Sequence, residues 1–311
     1  MGAFIVRRLL LLLPNLVLLT FLMFAVMTSW FGSPATMMLG RDATAEAVAD
    51  MDRRYGFDQP ILVQYARWIG GAATGDLGRS FASQQSVAAL LAPALPVTLE
   101  LSLAAILVAF AASVVVNSLT VARRIIEPLV TATSILGVTV PNFMLGATLI
   151  WLFAIRLRLL PTTGWVPWSE GAGPHVVHLL MPVITLCAFY ASAFSMVYRS
   201  EYRATARQLF VCVAAAKGLS QSRVSFRHIL PNAVLPVITQ AGLSLGQLVG
   251  GAVVTETVFS IPGVGRLLVS AIGSSDYPVI LAITMMILTA VALANLLADL
   301  LYARVNPLVR V

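Results

Sequence analysis

Six stretches of this chain stay apolar for longer than a water-facing helix can hide: about 9–30, 98–121, 130–155, 176–198, 234–256 and 279–303. Each reaches the roughly 20 residues that cross ~30 Å of hydrocarbon at 1.5 Å per residue. In that solvent every backbone N–H and C=O must be satisfied within the chain, so the segments are expected as α-helices. The expected fold is an all-α polytopic membrane protein with six transmembrane helices. Composition agrees: 59% of the 311 residues are hydrophobic and 11% charged, against roughly a quarter charged in soluble chains. Pro14, Pro141, Pro182 and Pro236 fall inside these spans; neighbouring groups are expected to re-satisfy the carbonyls they free. The fifth span is rich in small residues. Its Gly246 and Gly250 form a Gly-x-x-x-Gly pair, read as a helix-packing site.

The formal charge of +7 does not point to nucleic acid, because the basic residues lie between apolar runs rather than on one polar face. They follow the positive-inside bias instead. With the N-terminus inside, the cytoplasmic side receives Arg7, Arg8, Arg123, Arg124, Arg199, Arg203, Arg207, Lys217, Arg223, Arg227, Arg304 and Arg310. The other side holds Arg156, Arg158, Arg266 and the arginines of one long segment, Arg41 among them, where the bias has little force. Both termini are therefore expected in the cytoplasm. The first span imitates a signal peptide, with Arg7 and Arg8 before an apolar run. It outlasts a signal core of roughly 7–15 residues and lacks a small-x-small site after it, so a retained helix is expected.

This reading divides the chain into 1–30, an N-terminal segment with the first span; 31–97, an extracytoplasmic segment; and 98–311, a core of five spans with a basic cytoplasmic loop at 199–233. Two helical patterns lie in the second segment, at 44–55 and 61–72, with Ile61, Tyr65, Trp68 and Ile69 on one face. Cys187 and Cys212 are too few for a disulfide framework and are read as small buried hydrophobes. Glu100, Glu256 and Asp299 fall near span ends, where water or headgroups are expected to solvate them. His175 and His178 share a helical face and imidazole suits nickel, but no third ligand accompanies them, so they are only weak metal candidates.

The loop at 199–233 reads Ala214-Ala215-Ala216-Lys217-Gly218-Leu219, then Arg223, and later His228-Ile229-Leu230-Pro231. The alanine run predicts a short helix, Gly218 a left-handed cap, and a second amphipathic stretch is expected to run until Pro231. Such a hairpin is a rigid docking element, and the small side chains at 214–216 allow close approach of a partner. The stretch resembles the "EAA" loop of permease subunits of ATP-binding-cassette importers. It departs from the usual form at Cys212, where the founding motif has Glu, and at Ala215, where Arg is common among peptide permeases.

The resemblance to dipeptide, oligopeptide and nickel permeases extends to Gly56–Pro60, Gln64, Trp68, Gly75–Gly78 and Ser80, and to Gly137, Pro141, Asn142 and Phe143. In the last third it covers Glu256, Phe259, Pro262–Gly265, Asp276–Pro278 and Asp299–Tyr302. Residues 81–85 and 269–272 look closest to nickel permeases. The resemblance implies a type I importer permease fold in the bacterial inner membrane. It also implies a second related permease, two ATP-binding subunits that hold ATP and Mg, and an extracytoplasmic binding protein that delivers a small peptide or a nickel or metal chelate. No ATP site is expected in this chain: the only lysine, Lys217, precedes a glycine rather than closing a Gly-x-x-x-x-Gly-Lys loop. An embedded enzyme would need a catalytic cluster inside the spans, and a secondary transporter or channel would show midplane charge or symmetry between halves. An exporter half is disfavoured because its coupling loops sit on longer helices joined to their own ATPase.

The arginine asymmetry makes a checkable statement about sidedness. In a background lacking Cys187 and Cys212, cysteines placed at Ala43 and Gly171 should react with an impermeant thiol reagent in whole cells, and one at Ser220 should not. Labelling at Ser220 with protection at Ala43 would invert the topology.

Overall fold

A computed structural model describes residues 2–31, 34–40, 43–120 and 126–305. Arg41, Arg123, Arg124 and Arg310 lie outside them, and Arg7, Arg8, Asp299 and Arg304 lie outside the residues whose side chains are described. Among the described residues the chain is mostly helical, and extended pairing is confined to one bridge between Arg79 and Ser86. Five helices among the described residues are long and apolar enough to cross a membrane, or six if one bent pair counts as a single span.

The helices in chain order are α1 (Gly2–Phe31), α2 (Pro34–Leu39), α3 (Ala45–Tyr55), α4 (Ile61–Ala73), α5 (Val87–Thr120), α6 (Glu127–Thr139) and α7 (Asn142–Leu149). They continue as α8 (Ala172–Ala206), α9 (Leu209–Ala216), α10 (Gln221–Val224), α11 (Leu230–Val258), α12 (Val264–Gly273) and α13 (Tyr277–Val305). The helices α3 and α4 fall where periodicity placed them. On α4, Tyr65 is buried and Ile61 and Trp68 pack beside it, but Ile69 turns outward.

Two spans differ from expectation at their prolines and ends. The helix α5 starts eleven residues before the expected position 98 and carries Pro93 and Pro96 inside it, each of which removes one helical N–H donor. The third span is not one straight helix: α6 ends at Thr139, and α7 with its π-helical extension Ile150–Arg156 departs at 104°. Pro141 supplies the break, since the residue before a proline is pushed into extended backbone and Val140 has ψ 123°. A short helix, α12, was not anticipated in the sequence, where it reads only as a link between the last two spans.

By contact the chain divides into two units, Met1–Thr98 with Pro262–Leu293, and Leu99–Ile261 with Ala294–Val311. They cut across the segments drawn from sequence, which sort residues by side of the membrane rather than by contact. The first unit has a core of Phe24 and Met27 from α1, Tyr65 from α4, Val87 and Leu91 from α5, and the buried start of α13. Tyr65 is its polar anchor: the hydroxyl lies 2.7 Å from Thr20 Oγ1 and donates to Val17 O, while the rings of Phe21 and Phe24 stand edge-on to it. The 78–86 turn is held by Asp276, whose carboxylate accepts from Ser80 Oγ (2.5 Å) and the Phe81 amide (2.9 Å).

In the second unit α8 is the central element, packing on α11, α6 and α7. Lipid is as apolar as leucine, so helices there associate through close contact and hydrogen bonds rather than through exclusion of water. Both are visible. Asn117 Nδ2 donates to Ser195 Oγ (2.9 Å), and Ser118 pairs with Tyr198 (3.0 Å). Gly137 on α6 meets α8 so closely that a Cβ would overlap Ser192 Oγ and stand 3.1 Å from Ala188 O.

This contact predicts a compensating pair. Gly137→Ala should destabilise the purified protein by about 1–3 kcal/mol, the usual cost of overpacking, read as a lower melting temperature in detergent. Adding Ser192→Ala removes the overlapping oxygen and should restore part of the loss; no restoration would show that the two helices do not touch there.

Candidate functional site

The segment between α8 and α11 is a hairpin with its own small core. Gln208 caps α9, and Gly218 follows it with φ +79°, the left-handed conformation expected of it. Ser220 then caps α10, its hydroxyl accepting from the Arg223 amide. Val211, Ala214, Val224 and Ile229 are buried together, with Tyr202, Ala206 and Leu219 packed against them. Tyr202 OH lies 2.8 Å from Ser225 Oγ, tying the end of α8 to the second arm of the hairpin.

The hairpin is tighter than the loop drawn at 199–233, because α8 continues to Ala206. The second arm does not stop at Pro231. From α10 the chain passes through a π-helical turn, Ser225–Ile229, directly into α11, and the Leu230 amide reaches back five residues to Ser225 O. Pro231 follows directly in the first turn of α11, and the wider π turn before it makes room for its ring.

Of the residues singled out in this motif, Ala215, Ala216, Lys217, Gly218, Arg223 and Pro231 are exposed, while Leu219, His228 and Leu230 are half-buried. Ala214 is turned into the hairpin core, so only two of the three alanines are open to a partner. The residues that sequence reasoning missed are larger. Leu209 is 79% exposed, and Phe210, Val213 and Phe226 are also open. Their signal was an apolar residue set on the polar side of a helix pair, which reads as ordinary amphipathic filler until the burial of the opposite face is known. An open apolar group beside Lys217 and Arg223 is the usual form of a protein-contact surface. Cys212 is exposed on the same helix rather than buried; Cys187 is half-buried, and both are free.

The titratable residues of the spans occupy different environments from those expected. Glu100 is not at a helix end, because α5 begins at Val87. Its Oε1 accepts from Trp168 Nε1 (2.6 Å) and lies 2.8 Å from His175 Nε2. His175 is 1% exposed, gives its Nδ1 proton to Val166 O, and sits between the rings of Trp165 and Trp168. Both of its ring nitrogens are thus committed to the protein. His178 is exposed and bonds back to Pro174 O of its own helix, so the two histidines are not brought onto one site. Glu256 is fully buried rather than solvated. Gly246 is buried and Gly250 half-buried on α11; close glycine contacts are seen instead at Gly137 and at Gly146, where a Cβ would stand 3.1 Å from Phe259.

A second polar cluster lies where α8 leaves its apolar stretch. Arg199 is 4% exposed, and its Nη2 donates to Glu127 O (2.9 Å) and faces Glu127 Oε1 at 3.6 Å. Arg203, one turn on, pairs with the same carboxylate. Among the described residues, Nε and Nη1 of Arg199 are buried without a hydrogen-bond partner. Leaving charged donors unmet costs about 1–3 kcal/mol or more.

Comparison with known proteins places this architecture. Residues 102–311 match the family model described as the binding-protein-dependent transport system inner membrane component, and residues 1–103 match the model of that component's N-terminal part. The chain is 33% identical to the probable peptide ABC transporter permease protein y4tP of Sinorhizobium fredii, over all of both chains. It is 35% identical to the oligopeptide transport system permease protein AppB of Bacillus subtilis, over 99% of each. To the glutathione transport system permease protein GsiC of Salmonella paratyphi A it is 34% identical, over 99% of this chain and 98% of the other. With its apolar helices and its match along the full length, the chain belongs to the multi-pass inner-membrane permease components of binding-protein-dependent ABC importers.

Proposed function

We propose that the chain is one of two related permease subunits of an ATP-driven importer, and that it forms part of the path for a small peptide. In this reading it crosses the membrane six times in the type I importer permease fold, with the bent α6–α7 pair as the third crossing and both termini in the cytoplasm. Two ATP-binding subunits hold ATP and Mg, and an extracytoplasmic binding protein delivers the substrate. The peptide class is favoured by the relatives, which are named for peptides, oligopeptides and glutathione. A nickel or metal-chelate cargo, suggested by residues 81–85 and 269–272, has less support: a bare ion needs oxygen or nitrogen ligands to replace its water shell, and His175 has no free ring nitrogen to offer.

The observation that carries the reading is the hairpin. Its inner face is a closed apolar core, its outer face presents Leu209, Phe210, Val213 and Phe226, and its second arm runs unbroken into α11. A push on the outer face therefore reaches a membrane span without passing through a flexible link. Tyr202 and Ser225 tie the same push to α8. ATP can drive such a transporter only by binding one arrangement of the subunits better than the other, and the hairpin is the element through which that preference acts. A secondary transporter or channel would have no use for a docking face of this kind.

The turn at Gly218 tests the coupling. A Cβ there would meet nothing within 4 Å, so only the left-handed backbone restricts the position. A β-branched residue is poorly tolerated at positive φ, at roughly 1–2 kcal/mol. Gly218→Val should leave membrane insertion intact while uptake and substrate-stimulated ATP hydrolysis by the assembled complex fall together, by roughly tenfold for that energy. Normal uptake at normal expression would remove Gly218 from the mechanism. Uptake that persists without ATP would favour the secondary-transporter reading.

A further inference from the structure

Arg199 and Arg203 on α8 and Arg207 at its C-cap follow one another at four-residue intervals, on one side of the helix. With Thr131 and Ser134 of α6 and Ser200 of α8 they line an open cavity of about 420 Å³. The lining residues and those paired with them include three guanidinium groups and one carboxylate, Glu127, which pairs with Arg199 and Arg203. The cavity is therefore strongly positive. Its deepest donor is also its least satisfied, since Arg199 Nε and Nη1 are buried without a partner among the described residues. Thr131 and Ser134 donate their hydroxyl protons to Glu127 O and Val130 O of their own helix, and among the described residues neither oxygen accepts from Arg199 Nε or Nη1. What the cavity lacks is an acceptor with several oxygens.

We propose that this cavity binds a phosphate group, and that the phosphate is that of an anionic phospholipid. Guanidinium groups match phosphate oxygens in geometry and charge, and basic pockets between membrane helices are suited to anionic headgroups. Charge and length point to a lipid source. At 1.5 Å per residue α8 is about 50 Å long, well beyond the ~30 Å of hydrocarbon, and its charged end, with Arg199, Glu201 and Arg203, is the one we assign to headgroup depth. Met196, one turn before Arg199 on the same cavity, is 46% exposed. The lining thus passes from an apolar side chain to three arginines along about 16 Å of helix, the order in which a phospholipid presents its chain and its phosphate. A soluble phosphate has no use for the apolar end.

The site has a structural consequence. Arg203 and Glu127 already form a pair, and Arg199 is shared with it, so the lipid phosphate completes the charge balance of a contact joining α6 to α8. Bound lipid should brace these two helices where α8 leads into the hairpin.

The test uses the purified full complex, stripped of lipid in detergent, with binding followed by native mass spectrometry and by thermal unfolding. Phosphatidylglycerol should be retained and should raise the unfolding temperature, with phosphatidylcholine binding at least about tenfold more weakly. Arg203→Gln with Arg207→Gln, both at exposed positions, should weaken phosphatidylglycerol roughly tenfold, the loss of one or more charge-assisted bonds. Arg199→Gln should abolish retention; should that variant fail to accumulate, Arg199→Lys keeps the charge without the planar fork and should still weaken binding. Equal binding of the two lipids, or phosphatidylglycerol binding unchanged in the Arg203/Arg207 variant, overturns the site. Equal stabilisation by millimolar inorganic phosphate that also displaces phosphatidylglycerol overturns the lipid assignment in favour of a soluble phosphate. Displacement by dialanine instead would make the cavity a carboxylate site and overturn the proposal.

Discussion

Lipid cannot hydrogen-bond a peptide group, and the rest of this structure follows from that. An unsatisfied N–H or C=O in hydrocarbon costs several kcal/mol, so the long apolar stretches are helical from end to end. Departures from helix occur where something else meets the freed groups. At Val140–Pro141 the span breaks by 104°, and the Val140 amide still bonds to Leu136 O. The Gly164 amide, in the irregular stretch before α8, bonds to Phe259 O. The π-helical turns at 150–156 and 225–229 keep their hydrogen bonds and change only their reach.

A second consequence is that polar side chains inside the bundle act in pairs. Asn117 with Ser195, Ser118 with Tyr198 and Glu100 with His175 and Trp168 each join α8 or the segment before it to α5. The helix α8 is therefore held along its length by specific bonds rather than by apolar contact alone. The hairpin that follows is joined to it through Tyr202 and Ser225 and to α11 through unbroken backbone. Two spans are thus joined through one short hairpin, by a side-chain bond on one side and continuous backbone on the other.

Much of this was legible in the chain itself. Apolar length located the spans, alanine and glycine located the first arm of the hairpin and its turn, and the 3.6-residue pattern located α4. What was not legible depended on neighbours. Ala214 and Ala215 are identical in sequence terms, yet one faces Val211, Val224 and Ile229 and the other faces outward. Glu256 sits near the end of an apolar run and so looks solvated, but the fold closes over it. The tight glycine contacts at Gly137 and Gly146 have no spacing signature, since each depends on what the opposing helix places there.

The sequence by itself therefore determined the solvent, the helical class, the approximate spans and the short helix ending at Gly218. These depend on local hydropathy, on backbone hydrogen bonding and on the φ preference of single residues, all of which are readable one segment at a time. Only the tertiary structure decided which face of the hairpin is open, that Glu100 meets His175, and that Arg199, Arg203 and Glu127 converge on one cavity. Those contacts join residues more than seventy positions apart, and in a membrane no apolar pattern marks them, because a side chain facing lipid and one facing a neighbouring helix obey the same hydropathy.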